Sequence, residues 1–353
     1  MTRPSARGPR TIAALVSVTA IEDLSPTFRR VRLAGPDLLE ASPGLIGDGP
    51  EITCSDAYLK LVIPPPGGEP QRPDLEAGLP AWFALPVEQR GWLRTYTARS
   101  CRWIDHDGRR VPEIAVDVAL HAADEGPGGR WFATAGVGSS AFLLVPGADE
   151  PIWASWAPGQ AERVVAVGDE TAAPALLSIA EQLQAQRPGR PADVIIEVPD
   201  DADAEAYPPA RLPRERPRRD AGLRLHVLAR GRDEDRGRLA ATRLAETLGV
   251  PAGAVDEVMA GRRPSSLAGV ATGPDRPTGA ADPAGSADPA ADDTDTGLLW
   301  TLADSAGRGG TYVFLAGEAS SVKAWRRLAV EAAGCPKDAV TFMGYWRRGR
   351  AES

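Results

Sequence analysis

Residues 94–99, Arg-Thr-Tyr-Thr-Ala-Arg, combine side chains that could hold a phosphate with one that could lie along a flat ring system. Side chains alternate between the two faces of a strand, so Arg94 and Tyr96 share one face, while Thr97 and Arg99 share the other. A guanidinium forms two parallel hydrogen bonds to a phosphate, and the neighbouring tyrosine ring can pack on an aromatic ligand. A strand with solvated arginines has the same pattern, so the hexapeptide alone leaves both interpretations open.

A second candidate anion site is the turn at residues 126–131, which reads Gly-Pro-Gly-Gly-Arg-Trp. Glycines leave backbone N–H groups accessible to an anion, and a helix that begins at such a turn adds a favourable dipole. An ordinary turn between a strand and a helix has a similar composition, so this motif is weak evidence when taken alone.

Three further motifs lie where strands are predicted to end. Gly-Asp-Glu-Thr-Ala-Ala-Pro-Ala at residues 168–175 and Ala-Gly-Glu-Ala at residues 316–319 each link a predicted strand to a predicted helix. Open α/β sheets bind ligands at the carboxyl ends of their strands, so both turns are candidate ligand contacts. Thr171 would also serve as a helix N-cap. Gly-Tyr-Trp-Arg-Arg-Gly at residues 344–349 carries two aromatic rings that could anchor packing or cover a flat ligand.

Other kinds of catalytic centre find little support. The chain has only 3 histidines and no G-x-S-x-G elbow, which disfavours a serine hydrolase. Its 3 cysteines form no C-x-x-C pair, so neither a thiolate zinc site nor a disulfide framework is expected. Residues 136–141 match G-x-G-x-x-A, but a strand that ends in Pro146 follows them instead of the helix that a dinucleotide fingerprint requires.

The amino-acid composition limits the kinds of molecule that the protein is expected to bind. The 353 residues carry 40 Lys and Arg against 48 Asp and Glu, a formal net charge of −8, which disfavours nucleic-acid binding. Only Lys60, Lys323 and Lys337 are lysines, so the other basic residues are arginines that can recognise phosphate and carboxylate groups locally. No apolar run approaches the roughly 18 residues that span a bilayer, and no signal peptide is evident, so we expect a cytoplasmic protein without membrane insertion.

The elements that must position these motifs fall into two classes. Short period-two segments separated by Pro/Gly loops predict strands and a small antiparallel β-barrel over residues 1–155. Strands that alternate with helices predict an open, mostly parallel sheet with helices on both faces over residues 156–353. Residues 261–297, rich in Ala, Gly, Pro and Asp, interrupt this second part and are predicted to be a disordered surface insertion.

Together, the motifs resemble the siderophore-interacting protein family, which comprises flavin-dependent ferric-siderophore reductases related to ferredoxin reductases. The similarity runs nearly from end to end of the chain and keeps the family's motif order. Its segments are residues 24–31, 33–38, 56–61, 94–99, 168–175, 316–319 and 344–349. The resemblance implies that the barrel binds FAD and that the parallel sheet binds NADH or NADPH.

The resemblance also implies roles for individual residues. Arg94 would contact the flavin phosphates, Tyr96 would pack along the ring or ribityl chain, and Thr97 would hydrogen-bond near N5. His121 and the glycine-rich turn would hold the remaining phosphate and the adenosine. The implied cofactor-binding set is Arg94, Tyr96, Thr97, Arg99, His121, Gly126, Gly128, Gly129, Trp131, Asp169, Thr171, Glu318, Tyr345 and Trp346.

The implied reaction is hydride transfer from nicotinamide to flavin, followed by single-electron transfer to the iron of a ferric siderophore. The flavin performs this chemistry, so no side chain is assigned as catalytic and no resident metal is expected. We hypothesise that Lys60 attracts the anionic ferric chelate, although a solvated strand lysine would look the same. We also expect a monomer.

Two questions stay open from the sequence. Glu197, Asp200 and Asp201 would repel a 2′-phosphate and suit NADH, whereas Arg230 and Arg232 would bind it and suit NADPH, which we favour. The alternative functions are a general flavin reductase or electron-transfer flavoprotein, and a non-catalytic siderophore- or flavin-binding protein. The non-catalytic alternative is motivated by departures from the family pattern at residues 128–129 and 138–139.

Overall fold

The computed structural model describes residues 10–120, 126–186, 189–209, 212, 222–231, 234–264, 300–303 and 310–349. The predicted candidate His121 and residues 265–297 of the predicted insertion lie outside these ranges. Strands up to Pro146 belong to one sheet and strands from Arg163 onward to another, so the predicted division at residue 155 falls in the connecting segment.

The first sheet is an eight-stranded antiparallel barrel-like sheet in the order β3-β6-β7-β2-β1-β8-β4-β5. Its strands are β1 Thr11–Asp23, β2 Phe28–Ala34, β3 Glu51–Ile52, β4 Tyr58–Ile63, β5 Trp92–Thr97, β6 Ser100–His106, β7 Arg109–Ala119 and β8 Ser140–Pro146. Its short helices are α1 Pro43–Ile46, α2 Gly78–Phe83, α3 Val87–Arg90 and α4 Pro127–Thr134.

Period-two burial builds this sheet, as the sequence predicts. In β1, Ala14, Val16 and Val18 are at most 1% exposed, whereas Leu15 between them is 43% exposed. The interpretation of residues 94–99 as parts of one strand holds only as far as Thr97. β5 ends at Thr97 and β6 begins at Ser100, because the chain turns a corner at which Arg99 N donates to Ala115 O.

The second sheet has the order β11-β10-β9-β13-β14-β12, in which the first five strands are parallel and β12 pairs antiparallel with β14. Its strands are β9 Arg163–Gly168, β10 Ala192–Val198, β11 Leu223–Ala229, β12 Trp300–Thr301, β13 Thr311–Glu318 and β14 Val340–Trp346. Its helices are α5 Ala173–Gln186, α6 Asp201–Ala206, α7 Arg238–Leu248, α8 Gly253–Met259 and α9 Ala319–Arg327.

Two apolar cores cover the two faces of this sheet, which confirms helices on both sides. One core contains Leu176 and Ile179 of α5, and the other contains Leu244 of α7 and Trp325 of α9. Every residue of β10 is buried, as is typical of a parallel strand covered on both faces. The short elements α6, α8 and β12 were not predicted, because six, seven and two residues carry too little periodicity.

The strand order reverses between β9 and β13, and this reversal places the candidate motifs. The chain runs outward from β9 through β10 to β11, and later returns to the other side of β9 as β13 and β14. Ligands of open α/β sheets bind at such a switch point, beyond the carboxyl ends of the strands. β9 ends at Gly168 and β13 ends at Glu318, so both predicted turns meet there.

Candidate functional site

On the barrel, the predicted anion-binding residues come together where β5 meets the start of α4. A Cβ atom at Gly128, in the first turn of α4, would collide with the hydroxyl of Tyr96 and would lie 3.9 Å from Cγ of Arg94. Only glycine therefore lets the helix start approach these two side chains so closely. The structure thus brings Arg94, Tyr96 and the glycine-rich turn to one place.

The chemistry of this place suits a phosphate. Gly126 is the N-cap residue of α4, Pro127 opens the helix, and no side chain among the described residues caps it. The helix start, with its first-turn N–H groups and the positive end of the helix dipole, therefore lies beside Arg94. At the opposite end of α4, Arg29 Nη1 donates to the carbonyls of Phe132 and Ala133 at 3.1 and 3.3 Å. The donor set fits the pyrophosphate of FAD.

Aromatic packing fixes the neighbouring rings. The Tyr96 ring meets the Phe132 ring edge to face with centroids 4.9 Å apart, and Trp131 contacts Phe132 in the same manner. Phe132 is 1% exposed and belongs to the barrel core. Thr97 is 8% exposed at the end of β5. Tyr96 is therefore held by a rigid partner and remains only partly buried.

The other two predicted residues of this region lie elsewhere. Lys60 pairs in register with Thr95, and its Nζ donates to Thr95 Oγ1 at 3.1 Å, so both lie on the face of the β4–β5 ladder opposite Tyr96. Arg99 is 3% exposed and both of its Nη atoms donate to Glu181 of α5. The structure thus places the Arg99 guanidinium in a buried contact with the second sheet, away from Arg94.

At the switch point of the second sheet, Asp169 connects the ends of three strands. Its Oδ1 accepts from the backbone N and hydroxyl of Thr171 at 2.9 and 2.6 Å. Its Oδ2 accepts from Glu318 N at 2.8 Å and from Trp346 Nε1 at 3.1 Å. Burial and the adjacent Glu170 carboxylate raise the pKa of Asp169. Four predicted site residues therefore meet in one hydrogen-bonded cluster.

A glycine makes this cluster possible. Gly317 has φ +144°, and a Cβ there would lie 2.8 Å from Oδ2 of Asp169, so another residue would push the carboxylate away. Beyond it, Glu318 caps α9 by accepting from Ser320 N and Ser321 N at 2.7 and 3.1 Å. Thr171 donates to Asp169 and α5 begins only at Ala173, so the predicted N-cap role of Thr171 was wrong.

The terminal aromatics complete the cluster. Trp346 hydrogen-bonds to Asp169, and the Arg236 guanidinium lies 5.0 Å from the centre of its ring. Tyr345 is partly buried against the second core. Burial raises the pKa of Tyr345, and the Asp56 and Asp169 carboxylates raise it further, so its phenol stays protonated. Asp56, whose charge acts on Tyr345, comes two residues before the barrel strand β4.

Contacts between the sheets were missed by sequence reasoning. Asp203 of α6 is fully buried and accepts from Ser25 Oγ at 2.6 Å and from Thr27 N and Oγ1 at 2.9 and 2.6 Å. The Phe28 and Tyr207 rings stack with centroids 3.7 Å apart. The Leu-Ser-Pro-Thr-Phe motif at residues 24–28 was the available signal, and its structural role is to dock the barrel on α6.

Comparisons with known proteins agree with this geometry. Residues 161–349 match the family model "Siderophore-interacting protein", and residues 17–150 match "Siderophore-interacting FAD-binding domain". The chain belongs to the siderophore-interacting protein family. The family explains why a FAD-type barrel precedes an open α/β sheet in a single chain.

Two solved structures share the fold of this chain. A siderophore utilization protein from T. fusca aligns with TM-score 0.54 and 22% identity over 97% of this chain and 95% of that one. The siderophore-interacting protein SipS from Aeromonas hydrophila aligns with TM-score 0.55 and 21% identity over 98% and 94% of the two chains.

Relatives by sequence are uncharacterized proteins of Mycobacterium tuberculosis and Mycobacterium bovis. They are 31% identical over 185 residues, a match that covers 52% of this chain and 58% of theirs. Among the residues that the structure describes, no helix is long and apolar enough to cross a membrane.

Proposed function

We propose that this protein is an FAD-dependent NAD(P)H oxidoreductase that reduces the ferric iron of a siderophore. The observation that carries the proposal is a direct link between the two candidate sites. β5 presents Arg94, Tyr96 and Thr97, and Arg99 just beyond it pairs with Glu181 of α5, the helix that begins at the Asp169 cluster. A flavin site and a nicotinamide site on one rigid frame suit hydride transfer between them.

FAD, when bound, would supply the conversion between a two-electron hydride donor and a one-electron acceptor such as ferric iron. The residues of the chain would bind the FAD and orient its ring system. Arg94 and the first turn of α4 would neutralise the pyrophosphate, and Tyr96, held by Phe132, would orient the ring system. Trp346 and Tyr345 would exclude water from the ring face.

The Asp169 cluster would set the shape of the nicotinamide side. Asp169 holds the Trp346 indole at one oxygen and Thr171 at the other, so these side chains cannot move independently. Glu318 ties the start of α9 to Arg348 N at 3.3 Å, which fixes the segment after the aromatic pair. A dinucleotide reductant would place the reaction in the cytoplasm.

The substrate is proposed to be an anionic ferric siderophore, with Lys60 attracting it. A second candidate function is a general flavin reductase, which the position of Lys60 on the face opposite Tyr96 favours. A non-catalytic binding protein would need the same sites without turnover.

One stopped-flow experiment separates these functions. Protein loaded with FAD is mixed anaerobically with NADH or NADPH, and loss of the oxidised flavin absorbance is followed. The reduced protein is then mixed either with a ferric siderophore or with air-saturated buffer. Our proposal expects rapid bleaching and faster reoxidation by the ferric siderophore than by oxygen. Equal reoxidation rates would indicate a general flavin reductase, and absence of bleaching would indicate a binding protein.

A further inference from the structure

Two buried carboxylates and two partly buried guanidiniums form a network at the carboxyl ends of β9, β10 and β11. Glu170 and Glu197 are both 0% exposed. Arg230 Nη1 lies 3.0 Å from Glu197 and 3.5 Å from Glu170, and Arg236 Nη1 donates to the other oxygen of Glu170. Each of the two guanidiniums is thus paired with at least one buried carboxylate.

Two carboxylates in this region, Glu197 and Asp200, occupy helix N-termini that could otherwise hold a phosphate. Glu197 accepts from Gly237 N at 2.6 Å and Ala240 N at 3.1 Å, which fills the N-terminus of α7. Asp200 caps α6 by accepting from Asp203 N at 3.0 Å. Backbone donors of these two helices are therefore already used by acidic side chains of the chain itself.

Among the residues that the structure describes, acidic side chains lie on the surface next to this network. Asp200 and Asp201 are exposed directly after β10. A groove of about 340 Å³ beside β11 is lined by Asp201 and Glu205 together with Arg243, and Arg243 lies 3.4 Å from Glu246. A phosphate that enters here meets carboxylates and guanidiniums that already have carboxylate partners.

We propose that this edge selects a nicotinamide dinucleotide without a 2′-phosphate, so that the reductant is NADH. The inference rests on the proposed function, since it assigns the reductant of that same site. In doubly wound dinucleotide-binding folds, an acidic residue about 20 residues after the first strand-to-helix turn hydrogen-bonds a free ribose 2′-hydroxyl, whereas an arginine nearby accommodates a 2′-phosphate. A 2′-phosphate adds up to about two negative charges at neutral pH, as other phosphate monoesters do.

NADH as the reductant differs from the NADPH that the sequence favours. Arg230 and Arg232 favoured NADPH when they were taken as phosphate ligands. Arg230 is held between two buried carboxylates, and moving it onto a phosphate would leave Glu197 without its cationic partner. Arg232 lies outside the described residues.

The test measures binding of two redox-inactive cofactor fragments to the FAD-loaded protein by isothermal titration calorimetry. ADP-ribose and 2′-phospho-ADP-ribose differ only at the position in question. We expect ADP-ribose to bind at least about tenfold more tightly at low to moderate salt, because a 2′-phosphate and carboxylates that lie closer than the Debye length repel each other. Equal or tighter binding of the phosphorylated fragment would overturn the NADH assignment while leaving the proposed function intact. Failure of both fragments to bind would overturn the proposed function and this inference with it.

A variant tests whether the exposed acidic residues cause the preference for ADP-ribose over 2′-phospho-ADP-ribose. Asp201→Asn is expected to narrow the affinity ratio by about threefold, because it removes one exposed repulsive charge. The matched control is Asp149→Asn, an exposed aspartate that follows β8 of the barrel, which should leave the ratio unchanged. The two affinities that form each ratio are measured on the same protein sample. Partial unfolding of a variant therefore lowers the binding heat of both fragments equally and leaves the ratio of their affinities unchanged. An unchanged ratio in Asp201→Asn would contradict the assignment of the preference to this surface.

Discussion

Arg99 and Glu181 form a buried two-point ion pair between the barrel and the second sheet. Arg99 Nη1 and Nη2 donate to the two Glu181 carboxylate oxygens at 2.9 and 2.8 Å, and the side chains are 4% and 6% exposed. Ser178, one turn before Glu181 on α5, also donates to the Arg99 carbonyl at 3.1 Å. Because Arg99 follows β5 and α5 follows the Asp169 turn, this pair sets the spacing between the two candidate cofactor sites.

Breaking this pair is expected to destabilise the protein strongly. Glu181→Gln removes the two-point carboxylate partner of Arg99 and leaves only Asp117, whose Oδ2 lies 3.8 Å from Arg99 Nε. Loss of one partner of a buried ion pair costs about 3–5 kcal/mol. Urea denaturation should therefore show a much lower midpoint. The matched control is Glu40→Gln, whose partner Arg10 is exposed and whose loss should cost about 0–1 kcal/mol. Equal midpoint shifts in both variants would show that the Arg99–Glu181 pair contributes no more than a surface contact.

Gly128→Ala tests the close approach of α4 to β5. The added Cβ collides with the Tyr96 hydroxyl, so the helix start or the tyrosine must move, at a cost of about 1–3 kcal/mol. We expect a lower denaturation midpoint and weaker FAD binding, measured by fluorescence titration. Tyr96→Phe in the same chain removes the colliding oxygen and should restore most of the stability.

Gly136→Ala is the matched control for that experiment, because a Cβ at Gly136 would meet no atom within 4 Å. It should leave both stability and FAD affinity nearly unchanged. If Gly128→Ala leaves stability and FAD affinity as unchanged as Gly136→Ala does, the Tyr96 ring is free to move. The contact between Gly128 and Tyr96 would then not shape the candidate phosphate site.

The sequence predicts the arrangement of the strands better than the partners of the charged residues. Burial of alternate residues in β1 and of whole strands such as β10 follows from local periodicity, and the barrel and the doubly wound sheet follow with it. The family motifs also located the Asp169 and Glu318 turns, which the fold brings together at the switch point.

What the sequence could not supply is the pairing of distant charges. Arg99 stands in the same hexapeptide as Arg94, yet the corner between β5 and β6 turns it toward Glu181, 82 residues later in the chain. Arg230 was interpreted as a phosphate ligand for a similar reason, since nothing near it reveals that Glu170 and Glu197 surround it. Such contacts depend on how the two sheets and their helices pack, which no local pattern encodes.

Lys60→Ala tests the proposed attraction of the ferric chelate. We expect the apparent affinity of the reduced protein for an anionic ferric siderophore to fall by about two- to fivefold at low salt, because one charge at a partly exposed position contributes up to about 1 kcal/mol. The salt dependence of reoxidation should weaken, while FAD affinity should not change. Lys337→Ala, which removes a lysine from the second domain, is the control. Unchanged chelate affinity in Lys60→Ala would leave Lys60 as a strand lysine that pairs with Thr95.

The stability of the protein is expected to fall as pH rises through the titration of Asp56. Burial raises the pKa of Asp56 from 3.8 to about 6, even though its carboxylate accepts from Ser155 N at 2.8 Å and Trp156 N at 3.0 Å. A carboxyl group whose pKa is higher in the folded state binds its proton more tightly there. Its favourable contribution is therefore complete below pH 3.8 and is lost as pH rises through about 6, a change of about 3 kcal/mol at 1.36 kcal/mol for each pH unit.

Asp56→Asn removes this titration and should flatten the dependence of the urea midpoint on pH across that window. The carboxylate of Asp193 changes stability in the opposite sense, but its pKa is held below 3.8, so it titrates outside the window. Hydrogen bonds from His226, Arg224 and Arg163 cause this lowering. The pKa of Asp169 is also raised, so part of the pH dependence of the urea midpoint remains in the variant. Unfolding curves of both proteins at several pH values between 4 and 7 measure the difference. Parallel curves for the two proteins would mean that the Asp56 carboxyl is hydrated and that the segment at Ser155 and Trp156 does not exclude water from it.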